Sequence, residues 1–120
     1  YGTATCAAGD LLLADATDPL QGMGDSAYSP GFTVAGTKIK LLVLKNNSTT
    51  DTISVIRGAA AGLPVFLAAG DGITLAINGG RFIYYNPAGT AAITTTTNDK
   101  LTVSVSAGSP TMTVLVMYGP

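Results

Sequence analysis

The residues that usually carry chemistry in proteins are nearly missing from this chain of 120 residues. It has no His and no Glu, its single thiol is Cys6, and its seven Asp residues are scattered over turn-like stretches. Acid–base catalysis near neutral pH usually relies on His or on a tuned carboxylate, and Ser-His-Asp or Cys-His arrangements need His. A Ser-Lys pair stays open, but no such pair stands out. We therefore expect a protein that is not an enzyme.

Metal, cofactor and nucleic-acid sites have little support either. A zinc site needs several Cys or His ligands. Asp15 with Asp18, or Asn98 with Asp99, offer oxygen atoms that suit calcium, but both pairs are more simply explained as turn formers. The glycine-rich loop at residues 58–62 lacks the Lys and Ser/Thr of a phosphate-binding loop. Six basic residues and a sequence pI near 4.9 argue against nucleic acid. We expect no metal, no cofactor and no nucleic-acid partner.

The composition favours a protein that other subunits cover. Charged residues are 11% of the chain, against about 25% in average globular proteins, while Thr, Ala and Gly are plentiful. Soluble monomers normally keep a mixed, charged surface, so this surface suits assembly; the alternative is a small secreted β-domain with a neutral surface. No apolar run is long enough to span a membrane. Cys6 has no intrachain partner, so it is either a free thiol or an intermolecular bridge.

The texture of the sequence changes near residue 36. Residues 1–36 are rich in turn signals, and we expect an extended N-terminal arm with one short strand at 10–14. Residues 37–120 contain segments in which apolar and polar residues alternate, separated by turn-forming Gly, Pro and Asn. No segment has the pattern of an amphipathic helix of useful length. This pattern predicts an all-β domain, a single β-sandwich or jelly-roll-like domain of seven to eight short antiparallel strands. The strands are expected at 38–44, 52–57, 63–68, 73–77, 81–85, 91–97, 101–106 and 111–118.

The alternation also predicts a core and a turn. Asn78-Gly79-Gly80 is a strong hairpin signal between the strands on either side of it. Strand 38–44 is apolar at consecutive positions towards its end, which is typical of a strand that is buried on both faces. The core is expected to consist mainly of Ile39, Leu41, Val43, Ile53, Val55, Ile73, Leu75, Ile77, Phe82, Leu101, Val103, Val105, Val114 and Val116.

Charge divides the chain at the same boundary. Residues 1–36 hold four Asp and no Lys or Arg, whereas residues 37–120 hold six basic residues and three Asp. Such complementarity between an arm and a body guides docking within or between subunits, although chance in a small sample explains it equally well. The candidate subunit-contact residues are Asp10, Leu11, Leu12, Leu13, Asp15, Asp18 and Tyr28.

Asn46 and Asn47 begin two overlapping glycosylation sequons in a predicted turn.

Several segments together resemble one family. They are the strand and Asn-bearing turn at 37–47, the strand and glycine at 52–58, the Ala-Gly turn at 67–72, the aromatic strand and turn at 80–89, and the apolar last strand at 113–118. Over about 85 residues the chain resembles the small β-sandwich proteins that decorate tailed-phage capsids, the head decoration or cement proteins. The resemblance implies a protein without catalytic residues that binds the outside of a capsid.

Three functions are therefore expected, in this order. The first is a homo-oligomeric virion protein that lies on the capsid surface, where its partners are the major capsid protein or identical subunits. The second is a subunit of an extracellular filament or pilus on the cell surface, in which the N-terminal arm completes the sheet of a neighbour by strand addition. The third is a carbohydrate- or ligand-binding sandwich that uses Tyr84, Tyr85 or Tyr118 for stacking.

Overall fold

The computed structural model describes residues 2–5, 9–12, 38–58, 62–90, 92, 100–108 and 110–120. These residues form strands, turns and no helix, which confirms the prediction of an all-β fold for the described part of the chain. The strands are β1 (Gly2–Thr5), β2 (Gly9–Leu12), β3 (Lys38–Asn46), β4 (Ile53–Ile56), β5 (Gly72–Leu75), β6 (Arg81–Tyr85), β7 (Lys100–Val105) and β8 (Thr111–Gly119).

The strands form two antiparallel sheets of four. Sheet 1 has the order β1-β8-β3-β6 and sheet 2 has the order β2-β7-β4-β5. The pairs β1–β8, β2–β7, β3–β6 and β4–β5 are nested along the chain, so that the first strand pairs with the last and the innermost pair lies at the middle. The pairs β3–β8 and β4–β7 complete the sheets. The described strands thus pair in the order of one long hairpin with β4 and β5 innermost, and successive strands mostly alternate between the sheets.

Apolar side chains of both sheets meet in one buried cluster. Eight of the predicted core residues belong to it and are confirmed: Ile39, Ile53, Val55, Leu75, Leu101, Val103, Val114 and Val116. Phe82 and Val105 are half-buried and pack against it. Four further members were not predicted, namely Leu42, Leu44, Leu63 and Met112.

The prediction for β3 was wrong after its second residue. Leu41 and Val43 point away from the cluster, whereas Leu42 and Leu44 are fully buried. The pairing with β8 shifts between Ile39 and Leu41, which marks a β-bulge. A bulge adds one residue to one strand, and a shift of one residue moves every following side chain to the opposite face.

Thr90 holds the backbone next to this bulge. The amide of Ile39 donates to the Thr90 hydroxyl over 3.1 Å, and the Thr90 amide donates to the Ile39 carbonyl over 3.0 Å. The amide of Asn86 donates to the carbonyl of Lys40 over 2.9 Å. Thr90 itself is 6% exposed. The segment after β6 therefore supplies hydrogen-bond partners to backbone groups of β3 at the bulge, where the regular pairing with β8 is interrupted.

The predicted hairpin at residues 78–80 was also wrong, although its turn chemistry was correctly recognised. Asn78 and Gly79 both adopt positive φ angles, 61° and 93°, as the Asn-Gly pair favours. However, β5 pairs with β4 in sheet 2, and β6 pairs with β3 in sheet 1. The turn therefore carries the chain from one sheet to the other.

Two other predictions in this half of the chain need correction. Residues 63–68 form turns rather than a strand, because Pro64 has no amide hydrogen and the Val65 amide bonds back to the Leu63 carbonyl. Ile73 and Ile77 are 40% and 38% exposed, since β5 is an edge strand that ends at Leu75. The strand predicted at 91–97 lies outside the described residues, apart from position 92.

The predicted arm contains two of the eight strands. β1 pairs with β8 and β2 pairs with β7, at one edge of each sheet. Residues 13–37 lie outside the described residues, and the boundary predicted at residue 36 stays a prediction.

Candidate interaction surface

The outward side of sheet 1 carries an array of apolar side chains. Beyond the bulge, Leu41 pairs with Tyr85 of β6 on one side and with Met117 of β8 on the other. The next outward row joins Val43 to Ile83 and Leu115 in the same way. Directly opposed side chains on one face of a sheet lie about 5 Å apart, so the six form one continuous patch. We call it the apolar face: Leu41, Val43, Ile83, Tyr85, Leu115 and Met117.

The apolar face is open to solvent at its margins. Ile83 is 59% exposed, Tyr85 69% and Met117 54%, whereas Leu41, Val43 and Leu115 in the middle strands are half-buried. The alternating neighbours on the same strands, such as Leu42 and Val116, lie in the core. Strands β3 and β8 therefore carry apolar side chains on both sides, although only one side is covered within the described structure.

Basic residues stand at both ends of the apolar face. The row after Val43 joins Lys45 to Arg81 and to Thr113, and Lys38 and Lys40 precede Leu41 at the other end. Lys40 donates from Nζ to the carbonyl of Pro87 over 2.9 Å. The four strands of sheet 1 contain these four basic residues and no Asp. An apolar patch between cationic ends fits a partner surface that is both apolar and acidic.

The outward side of sheet 2 has a different character. Ser54 of β4 pairs with Thr74 of β5 and with Ser104 of β7, and the Ser54 and Thr74 hydroxyl groups are hydrogen-bonded over 3.1 Å. A shallow depression of about 240 Å³ lies here, lined by Ser54, Ile56, Gly70, Gly72, Ile73 and Thr74. The described fold thus has one apolar outer side and one rich in hydroxyl groups.

Asn46 fixes the end of β3 that carries Lys45. Its side chain has no exposed surface; its Nδ2 donates to the carbonyls of Asp51 and Leu75 over 2.8 and 3.1 Å, and its Oδ1 accepts from the Ser48 amide over 2.8 Å. Its backbone amide and carbonyl bond to Gly80 and Gly79. One buried amide group therefore ties β3 to the loop before β4 and to the end of β5 in the other sheet.

The two glycosylation sequons differ in accessibility. The side-chain amide of Asn46 is buried and bonded, so in the folded chain it is closed to an attached glycan. Asn47 is exposed, and its Nδ2 donates to the hydroxyl of Thr113 over 2.8 Å. Modification stays a prediction, and the geometry restricts it to Asn47.

The predicted contact residues that the structure describes do not lie on the apolar face. Asp10, Leu11 and Leu12 lie in β2 of sheet 2, paired with Thr102, Leu101 and Lys100. Leu13, Asp15, Asp18 and Tyr28 lie outside the described residues, as does Cys6. Sequence reasoning missed the apolar face because it assigned two of its members, Leu41 and Val43, to the core. The available signal was a strand apolar on both faces in a chain without a helix to cover the second face.

The three tyrosines proposed for stacking do not share a surface. Tyr84 is half-buried against the core, and its hydroxyl accepts from Asn86 Nδ2 over 3.1 Å. Tyr118 also packs against the core, whereas Tyr85 belongs to the apolar face. They do not form the flat aromatic platform that a sugar ring would stack on.

The described part of the chain contains no cluster of three or more His, Cys, Asp or Glu side chains that could hold a metal ion. None of its segments is a helix with the length and hydropathy needed to cross a membrane. Comparison of the chain with protein-family models, with curated proteins and with solved structures finds no match.

Proposed function

We propose that this chain is a non-enzymatic structural protein of a virion, which decorates the capsid and stabilises it by bridging neighbouring capsid subunits. The observation that carries the proposal is the apolar face of sheet 1. Apolar surface in contact with water is unfavourable, so a sheet with apolar side chains on both sides suits a protein whose second side lies against another subunit.

The size of the apolar face supports a contact role. Ile83, Tyr85 and Met117 are each more than half exposed. An aromatic side chain has about 150–250 Å² of surface, so Tyr85 at 69% exposure presents on the order of 100–170 Å² by itself, and Ile83 and Met117 add to it on the same side of the sheet. Patches of a few hundred Å² are about the largest that monomers expose, and they are often functional.

We also propose that the two sheets pack face to face as a jelly roll. The nested pairing of the first strand with the last, the second with the seventh, and so on to the middle supports this, as does the single buried cluster drawn from both sheets. Jelly rolls occur in viral capsid domains and in lectins. Because one fold serves many functions, the strand order supports the virion role less strongly than the apolar face does.

In this proposal the protein acts through contact area. Each copy lies across a joint between capsid subunits, so that opening the joint exposes apolar surface that the copy had covered. The cost rises with the number of copies and needs no reaction. The middle of the apolar face carries no charged side chain, so its burial desolvates no charge, and the basic residues stay at its two ends.

Electron microscopy of native particles that contain the chain tests the proposal. We expect density for a body of about 12.0 kDa on the outside of icosahedral heads, across joints between capsid subunits. Density only inside the heads, or native particles that are not icosahedral heads, would contradict the proposal.

A binding assay tests the contribution of the apolar face. The double substitution Tyr85→Ser with Met117→Ser should reduce cosedimentation with capsids at least tenfold. The matched control, Thr74→Ala with Ser104→Ala on the outward side of sheet 2, should bind like the unmodified chain.

A second candidate is the filament subunit assembled by strand addition. It is favoured by the position of β1 and β2, which occupy one edge of each sheet and pair with strands far away in the chain. A neighbour's N-terminal residues would make the same hydrogen bonds in a filament. Deletion of residues 1–16 should then abolish polymerisation, and filaments that still form would rule this candidate out.

A further inference from the structure

We propose that the apolar face of sheet 1 binds residues 13–36 of a second copy of this chain, in a head-to-tail contact. The inference rests on the proposed function and deepens it: identical copies on the capsid are joined to one another through this face, so that loss of the face weakens capsid binding through the loss of linked attachment. In a head-to-tail contact two different surfaces meet, and repetition gives a ring if the rotation closes and an open chain if it does not.

The charge of sheet 1 argues against a symmetric dimer in which the apolar faces of two copies pack against each other. Sheet 1 contains Lys38, Lys40, Lys45 and Arg81 and no acid. Two copies placed face to face would bring cationic ends together, and like charges at an interface cost several kcal/mol. The partner surface must therefore be acidic as well as apolar.

The chain itself contains such a segment. Residues 13–36 hold three Asp and no basic residue, and large apolar residues lie between and after them. The apolar residues match the array on β3, β6 and β8, and the acids match its cationic ends. The acids are Asp15, Asp18 and Asp25, and the apolar residues include Leu13, Leu20, Met23, Tyr28 and Phe32.

The length of the segment allows it to reach a neighbour. Together with Thr37 it connects Leu12 at the end of β2 to Lys38 at the start of β3. At about 3.3 Å per extended residue, its 24 residues span up to roughly 80 Å. The apolar face is three strands wide, about 10 Å between the outer strand axes. The contact thus needs only part of the segment, and the remainder is available to bridge the copies.

Charge exchange between two variants of the full chain tests the contact. The first variant carries Lys45→Glu and Arg81→Glu, which makes one end of the apolar face acidic. The second carries Asp15→Lys and Asp18→Lys, which makes the segment basic. Analytical ultracentrifugation at 0.05 and 1 M NaCl gives the mass of each species, and circular dichroism verifies that each variant folds.

The unmodified chain should sediment as a species heavier than 12.0 kDa, and each variant alone should self-associate at least tenfold more weakly. An equimolar mixture should recover the association, because the acidic segment of the first variant meets the basic face of the second and the reverse. High salt should reduce both the loss and the recovery. As a matched control, Thr74→Glu with Ser104→Glu adds two acids to sheet 2 and should leave association unchanged.

Three results would overturn the proposal. If the unmodified chain is a monomer at all concentrations, no second copy occupies the face. If the variants associate like the unmodified chain, charge does not guide the contact. If the mixture fails to recover association, the two surfaces do not meet. Cosedimentation with capsids distinguishes failure of this inference from failure of the proposed function. A chain that stays monomeric and binds capsids would contradict only the head-to-tail contact. A chain that self-associates and does not bind capsids would contradict the proposed function.

Discussion

Replacement of Asn46 by Ala should be among the most destabilising single changes in the described part of the chain. The side-chain amide makes three hydrogen bonds, to Asp51, Leu75 and Ser48, and is fully buried. A protein hydrogen bond contributes about 1 kcal/mol net, and a buried group left without a partner costs about 1–3 kcal/mol. The three lost bonds together give a loss of about 3 kcal/mol in the free energy of unfolding, at about 1 kcal/mol each.

Urea unfolding followed by far-UV circular dichroism measures this loss. The midpoint should fall while the slope with urea stays constant, because the surface exposed on unfolding is nearly unchanged. Asn47→Ala is the matched control: its single bond to Thr113 is exposed, and such changes are usually within about 0.5 kcal/mol. A loss below 1 kcal/mol for Asn46→Ala, or equal losses for the two variants, would refute the reasoning.

Asn46→Asp adds a pH dependence with a defined sign. The carboxylate keeps an acceptor for the Ser48 amide, but it faces the carbonyls of Asp51 and Leu75, to which it cannot donate. Burial and these carbonyls raise the pKa of the introduced carboxyl in the folded state. The variant should therefore be less stable than Asn46→Ala at pH 7 and should regain stability as the pH falls towards 4, where the protonated carboxyl donates one bond.

The remaining predictions concern β3, its bulge and the edge of sheet 2, and all use the same unfolding assay. Leu42→Ala should cost about 3 kcal/mol because the side chain is fully buried, whereas Leu41→Ala should cost less than about 1 kcal/mol; the reverse order would place the bulge elsewhere. Thr90→Val should cost about 1–2 kcal/mol, since it removes the acceptor of the buried Ile39 amide; an unchanged midpoint would contradict this role. Gly72→Ala should cost about 1–3 kcal/mol, because its Cβ would clash with the backbone oxygen of Val55 in β4; a stable variant would exclude this close approach.

The sequence predicts the fold best where polar and apolar residues alternate. In β7 and β8 the polar residues mark one face, and Val103, Val114 and Val116 were correctly assigned to the core. In β3 every position from 41 to 44 is apolar, so nothing in the composition shows on which side each residue lies. The bulge before Leu41 decides it, and the bulge depends on hydrogen bonds to Thr90, 51 residues further along.

The turn at Asn78-Gly79 illustrates the same division between local and distant causes. The two residues determine the local backbone, and their positive φ angles follow from residue type. The partner of each flanking strand depends instead on which sheet buries its apolar side. Residue type therefore predicted the turn, while the pairing of β5 with β4 and of β6 with β3 could not be predicted from the turn.

The apolar face could be predicted only in outline. A chain with strands apolar on both sides and no helix must cover the second side with something other than its own helices. Sequence reasoning predicted that β3 is apolar on both faces, but it could not join Leu41 to Tyr85 and Met117, because that row depends on strand order and register.

The nested strand order has a consequence for synthesis of the chain on the ribosome. β8 lies between β1 and β3 in sheet 1, so the strand that joins the others is the last of the eight to be translated. Until residues 111–119 have emerged, β1 has no partner strand and β3 has only β6. Of the four nested pairs, β4–β5 closes the shortest loop, and each further pair closes a longer one at a higher entropic cost. A nascent chain that stops short of β8 therefore leaves sheet 1 open, with β1 and one edge of β3 unpaired.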